Sequence, residues 1–223
     1  MIKKGALVIL DVQNDFFPGG ILATQDSDKI IHIINKYIKI SSHKKLPIYL
    51  SKDWHPKQTK HFKRFGGYWP THCIKNTKGA EFHPNLKLPD STIIVSKGMD
   101  PNKHNYPLLN SIDSNKNTLL ALLQSQDIQD IFIGGIFTDH SDEMSIFDAL
   151  DIGFNLYLFV DAVRIVNIKP KNLETTIKHL LERGLKRMVF DKFLKLMNPE
   201  TPLYQNQEYI LNHLPSDHLP LSD

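Results

Sequence analysis

Ala6-Leu7-Val8-Ile9-Leu10 is an unbroken apolar run that stops at Asp11. A run that does not alternate with polar residues is the pattern of a strand covered on both faces, as in a parallel sheet. Within Lys29–Ile40, Ile30, Ile34, Tyr37 and Ile38 return at helical spacing. Leu46–Ser51 and Ser91–Ser96 read as the second and third strands, Asn117–Gln126 as a helix and Asp130–Gly135 as the fourth strand. A helix over about residues 139–152, a strand at Phe154–Val160, a helix at Leu173–Arg183 and a short strand at Met188–Phe190 complete the alternation. Strands alternating with helices imply right-handed crossovers and one parallel sheet with helices on both faces. The expected fold class is therefore α/β, a doubly wound, Rossmann-like sheet of about six strands.

Two segments break the pattern. Asp53–Pro89 has no convincing period and is long for a connection, which marks a functional loop. The chain after Phe193 carries Pro199, Pro202, Pro215 and Pro220, and reads either as an ordered arm wrapping its own domain or a partner subunit or as a mobile tail. The expected organisation is one domain over residues 1–192 with a C-terminal extension over 193–223, and a homo-oligomer is left open.

Composition narrows the class. At 223 residues the chain suits one large domain, and 41% hydrophobic with 23% charged residues is ordinary for a globular protein. Disulfide scaffolding is excluded, because Cys73 is the single cysteine. No run approaches the ~18 apolar residues of a membrane span, and the short apolar run near the N-terminus is no signal sequence. A cytoplasmic protein is expected, without membrane partners. Twenty-seven basic against 24 acidic residues leave +3, too little and too scattered for nucleic acid.

Candidate chemistry collects at the strand ends, where open α/β sheets bind ligands. Asp11 ends the first strand, Lys97 the third, and the fourth runs through Gly134-Gly135 towards Ser141. A carboxylate, an amine and a hydroxyl from separate segments would thus share one crevice. The long loop adds a second group. Asp53 and His55 lie two apart, on one side of an extended chain, and His61 and His72 follow. A carboxylate with two or three imidazoles suits a divalent zinc, iron or manganese ion, with positions left for water or substrate.

Several motifs in collinear order then carry a resemblance. Asp11-Val12-Gln13-Asn14-Asp15-Phe16-Phe17-Pro18-Gly19-Gly20, Lys52-Asp53-Trp54-His55-Pro56, Trp69-Pro70-Thr71-His72-Cys73, Ser96-Lys97-Gly98 and Gly135-Ile136-Phe137-Thr138-Asp139-His140 together resemble the nicotinamidase/pyrazinamidase family of isochorismatase-like hydrolases. The likeness extends over roughly residues 5–190. It implies a metal-dependent amidohydrolase that converts nicotinamide and water to nicotinate and ammonia, a small-molecule partner and a place in NAD salvage. It also implies site roles. Asp11 matches the catalytic base, Lys97 the cation beside it, and Ser141 the nucleophile position. Asp53, His55 and His72 match metal ligands, with His61 an additional ligand in some members. Phe16 and Trp69 resemble the walls that hold the substrate ring, and Phe137 lies at a further substrate-binding position.

The chain departs from that family where the nucleophile sits. Ser141 stands in place of cysteine, and a hydroxyl is far harder to ionise than a thiol near pKa ~8.5. Asp11 is a weak base for a serine, so the change should add several kcal/mol to the barrier, each ~1.36 kcal/mol being tenfold in rate. Phe137 replaces a small residue beside the oxyanion-binding amides, and Asp142 and Glu143 bring acids to the first turn of the following helix. Those acids suit the helix dipole but would oppose an oxyanion if they faced it. Two alternatives follow: a non-catalytic homologue that binds a pyridine-like ligand and metal, or a vinyl ether hydrolase of the isochorismatase type acting through Asp11. Cys73 matches a non-catalytic cysteine.

Overall fold

A computed structural model describes residues 4–138, 141–166 and 173–198, with the backbone alone at 138, 141, 142 and 173–177. Among the described residues, six parallel strands form one sheet. They are β1 (Gly5–Leu10), β2 (Ile48–Asp53), β3 (Ile93–Lys97), β4 (Asp130–Thr138), β5 (Asn155–Val166) and β6 (Lys186–Met188). The sheet order is β3-β2-β1-β4-β5-β6. Connections therefore run outward in opposite directions from β1 and β4, and the crevice beyond their carboxyl ends is where ligands sit in such sheets.

The apolar run of β1 is explained by its position. Leu7 and Ile9 point into one core cluster, Ala6, Val8 and Leu10 into another, and each is at most 1% exposed. The first cluster is closed by α1 (Ile31–His43) and α5 (Phe190–Met197). The second is closed by α2 (Leu119–Ser125), α3 (Ser141–Ile152) and α4 (Leu173–Glu182). Among the described residues no helix is long and apolar enough to cross a membrane.

Several boundaries differ from the sequence reading, among them these. β2 and β3 end two residues and one residue later than expected, so Asp53 and Lys97 finish neighbouring strands as register partners. β5 continues six residues past Val160, because β4 also continues and the two extensions pair from Gly135↔Val163 to Thr138↔Val166 after a bulge. Polar Asp161 and Arg164 had disguised that extension. Gly135 is required there: its φ is +110°, and a Cβ would lie 2.2 Å from the Leu10 carbonyl oxygen. β6 is Lys186–Met188 rather than Met188–Phe190, since Phe190 opens a helix.

That helix, α5, spans the 192/193 boundary drawn from the sequence. Asp161 anchors its start by accepting the Phe190 N–H at 2.9 Å and the Tyr37 hydroxyl at 2.8 Å. Phe193 is fully buried, with its ring 5.0–5.2 Å from those of Phe132, Phe159 and Tyr37. The domain therefore continues at least through α5, and residues 199–223 lie outside the described residues.

Candidate active site and metal centre

Asp11 follows β1 in a left-handed backbone conformation (φ +45°) with no exposed surface. Its Oδ1 accepts the Ser51 hydroxyl at 2.6 Å, and its own N–H donates back to that oxygen at 3.3 Å. Lys97 Nζ lies 2.6 Å from Asp11 Oδ2 and 2.7 Å from Asp53 Oδ1. One buried ammonium is thus shared by two buried carboxylates, which leaves the trio with one net negative charge. Burial alone would raise the Asp53 pKa, but the Lys97 charge and the neighbouring histidines outweigh it and hold the carboxyl well below its ordinary range.

The other Asp53 oxygen, Oδ2, faces imidazoles. It lies 3.8 Å from His55 Nε2 and 3.6 Å from His72 Nε2. One nitrogen each from His55, His61 and His72 lies within 4.8 Å of the other two, and all three residues are buried. Each Nδ1 is turned to a backbone carbonyl: His55 to Gly98 at 3.1 Å, His61 to His104 at 2.7 Å and His72 to Pro70 at 2.8 Å. A carbonyl can only accept, so each Nδ1 carries a proton, and a ring in its neutral form presents an Nε2 lone pair. Burial holds His55 below its ordinary pKa and His61 down to about 3, so these two rings stay uncharged at neutral pH.

Lone pairs and a carboxylate oxygen facing one another repel unless a cation lies among them. His55 Nε2 is buried with no hydrogen-bond partner among the described residues. The donor set therefore fits a divalent metal, and the carbonyl partners are the orienting contacts that metal-binding histidines ordinarily have. Asp53, His55, His61 and His72, drawn from the sequence, are brought together here.

Two residues that sequence reasoning passed over complete the frame. Gln13 grips the Asp53 backbone, its Oε1 accepting the Asp53 N–H at 2.7 Å and its Nε2 donating to the Asp53 carbonyl at 2.8 Å. Ser51 holds Asp11 as described. A polar side chain next to the end of an apolar run was the available signal for Gln13. For Ser51 there was none, because its partner lies 40 residues away.

The aromatics separate. Trp69 stacks on His61 with ring centroids 5.9 Å apart and remains partly exposed, so it offers a surface at the site. Phe16 has no exposed surface and backs His72 at 5.7 Å from within the first cluster. Phe137 is 2% exposed and belongs to the second cluster, with Ile146 and Ile165, rather than to the group around Phe16 and Trp69.

Ser141 is the first residue of α3, immediately after residues 139–140, which lie outside the described residues together with the side chains of Ser141 and Asp142. Glu143 is buried, and its carboxylate meets His179 of α4 at 2.7 Å. Cys73 is buried and so poorly suited to act as a nucleophile. Burial, with the charges of Asp53, Asp15 and Asp11, pushes its thiol well above the ordinary range.

Comparison with known proteins gives a consistent picture. The isochorismatase domain family matches residues 5–186. A nicotinamidase of Acinetobacter baylyi is 32% identical, the alignment covering 82% of this chain and 91% of the relative. A nicotinamidase/pyrazinamidase of Mycobacterium tuberculosis is 31% identical, over 70% of this chain and 84% of that one. The crystal structure of a Pyrococcus horikoshii pyrazinamidase in complex with zinc superposes with a TM-score of 0.74 at 36% identity, covering 84% of this chain and 99% of its own.

Proposed function

Because the chain belongs to the isochorismatase domain family, we propose that it is a nicotinamidase-like amidohydrolase, acting on nicotinamide or pyrazinamide and slowed by serine at the nucleophile position. The observation that carries this reading is the buried Asp11–Lys97–Asp53 trio standing directly against three imidazoles with their lone pairs turned inward. Asp11 and Lys97 provide acid–base chemistry and the imidazoles a ligand anchor, and relatives 31–32% identical over most of the chain are named nicotinamidase and nicotinamidase/pyrazinamidase.

The steps follow from the residues. The Ser141 hydroxyl attacks the carboxamide carbon as Asp11 takes its proton. The C–N bond then breaks, Asp11 returns the proton to nitrogen, and ammonia leaves. Water then attacks the acyl–serine ester and gives up a proton to Asp11; as the ester C–O bond breaks, Asp11 passes that proton to the Ser141 oxygen, so that the carboxylic acid, the free hydroxyl and the Asp11 carboxylate are released. Lys97 keeps the Asp11 carboxylate in place and ionised between turnovers. Asp53, His55 and His72, with His61, would hold the divalent ion, for which zinc suits the mixed nitrogen and oxygen donors. Once bound, that ion supplies a Lewis acid to anchor the ring nitrogen. Trp69, backed through His72 by Phe16, supplies the wall on which the ring rests.

Serine limits the first step. Asp11 with Lys97 can ionise a thiol at neutral pH but scarcely an alcohol. This favours one second reading, a homologue that binds the pyridine carboxamide and turns it over negligibly. Ammonia release from nicotinamide, measured for the zinc-loaded chain, for Ser141→Cys and for Ser141→Cys/Asp11→Asn, separates the two. The amidohydrolase reading expects a gain of at least a hundredfold (about 2.7 kcal/mol) in the single variant and its loss in the double. Binding of nicotinamide with no gain supports the second reading, and turnover of isochorismate instead would overturn both.

A further inference from the structure

The residues just after Lys97 took no part in the site drawn from the sequence, yet they touch it repeatedly. Gly98 and His104 supply the carbonyl oxygens that orient His55 and His61. The Tyr106 ring, 9% exposed, lies 5.6 Å from that of His55 and 5.3 Å from that of His61. Its hydroxyl is 2.7 Å from the Asp100 carbonyl oxygen and 2.8 Å from that of Lys103, and its proton goes to them. Thr59 Oγ1, 3.3 Å away, is therefore the donor to Tyr106, and it also accepts the His61 N–H at 3.3 Å. Two residues beyond Tyr106, the Leu108 N–H donates to Ser145 Oγ of α3 at 2.7 Å, and Ser145 is 2% exposed.

We propose that residues 98–108 form a strap that makes the placement of α3 depend on metal occupancy, and that Ser145 is the positioning residue through which the strap holds that helix. The proposal rests on the metal reading of the histidine cluster. Without a cation, the facing lone pairs and Asp53 Oδ2 repel, and the rings relieve that repulsion by tilting. The tilts of His55 and His61 each pull on a carbonyl of the strap, at Gly98 and His104. With a cation the rings are pinned, the strap closes on Tyr106, and the Leu108 N–H stays against Ser145. A buried donor is costly to leave unpaired, so strap and helix move together. Ser145 lies one helical turn after Ser141, so a displacement there carries the first turn of α3 with it.

Hydrogen–deuterium exchange of the whole chain, chelator-treated and then zinc-saturated, tests this alongside calorimetric zinc titration. Zinc should slow exchange in residues 98–108 and at the amides of residues 146–148 by about fivefold or more. In Ser145→Ala the strap should keep its response while amides 146–148 lose theirs. Because coupling is reciprocal, zinc should also bind that variant about fivefold more weakly or worse. Tyr106→Phe, which loosens the strap itself, should blunt both responses and serves if Ser145→Ala does not fold. Zinc binding that leaves amides 146–148 unchanged, or a Ser145→Ala variant with full response and unchanged affinity, overturns the strap alone. Failure of the wild-type chain to bind zinc overturns the metal reading, and the strap falls with it.

Discussion

Gly98 and His55 are fitted to each other so closely that a side chain at position 98 would have to displace the His55 ring. The Gly98 carbonyl oxygen takes the His55 Nδ1–H at 3.1 Å, while a Cβ on Gly98 would lie 2.4 Å from His55 Cε1. Its φ of +76° is a conformation that L side chains rarely adopt. The residue that ends the Lys97 motif therefore also sets the direction of the His55 ring, a proposed metal ligand.

Gly98→Ala should accordingly weaken zinc binding by about 10–100-fold, the usual cost of disturbing a contact that orients a ligand. Competition against a chelator of known affinity measures it. An affinity within about threefold of wild type would show that the Gly98 contact does not orient His55.

Removing the shared cation should be costly to the fold. Lys97→Gln leaves Asp11 and Asp53 buried without their ammonium, and breaking a buried ion pair typically costs about 3–5 kcal/mol. Urea unfolding should report that loss without metal and a smaller loss with saturating zinc, which compensates Asp53. A loss below about 1 kcal/mol, with or without zinc, would mean that the trio is well solvated.

The thiol of Cys73 should resist alkylation in the native chain and react once the chain is unfolded in urea. Burial and three nearby carboxylates keep it protonated, and it is fully covered. Mass spectrometry after iodoacetamide treatment reads this directly. In Ser141→Cys the native chain should take up one label, at the introduced thiol, and rapid labelling of Cys73 would reopen it as a nucleophile.

Phe193→Ala should cost about 3–5 kcal/mol, the range for deleting a buried phenylalanine ring. A chain stopped at residue 192 should be destabilised at least as much, because it also loses Leu194 and Met197 from the first cluster. Thermal unfolding of either variant close to wild type would return the domain boundary to residue 192.

Much of the fold was legible because burial leaves a local mark. The apolar run of β1, the helical spacing of α1 and the alternation of strands and helices each follow from which faces are covered, and a parallel α/β sheet is what they can build. The site residues were legible for a related reason. Asp11 and Lys97 stand where apolar strands stop, and Asp53, His55, His61 and His72 crowd a loop too long to be a simple connection. Elements that owe their form to distant partners left no such mark. The second half of β5 exists because β4 continues beside it, and α5 because Asp161, Tyr37, Phe132 and Phe159 receive it.

What the sequence alone determined, then, is the order of strands and helices along the chain and the kinds of chemistry gathered at the strand ends. How those groups are wired follows from the folded arrangement. Lys97 bridges two carboxylates, three histidines turn their protons outward to backbone carbonyls, Gln13 and Ser51 brace the acids, and Glu143 turns to His179. Hydropathy is a property of each residue and is written locally. The state of a buried polar group depends on the few atoms within hydrogen-bonding reach, and here those atoms come from segments tens of residues apart.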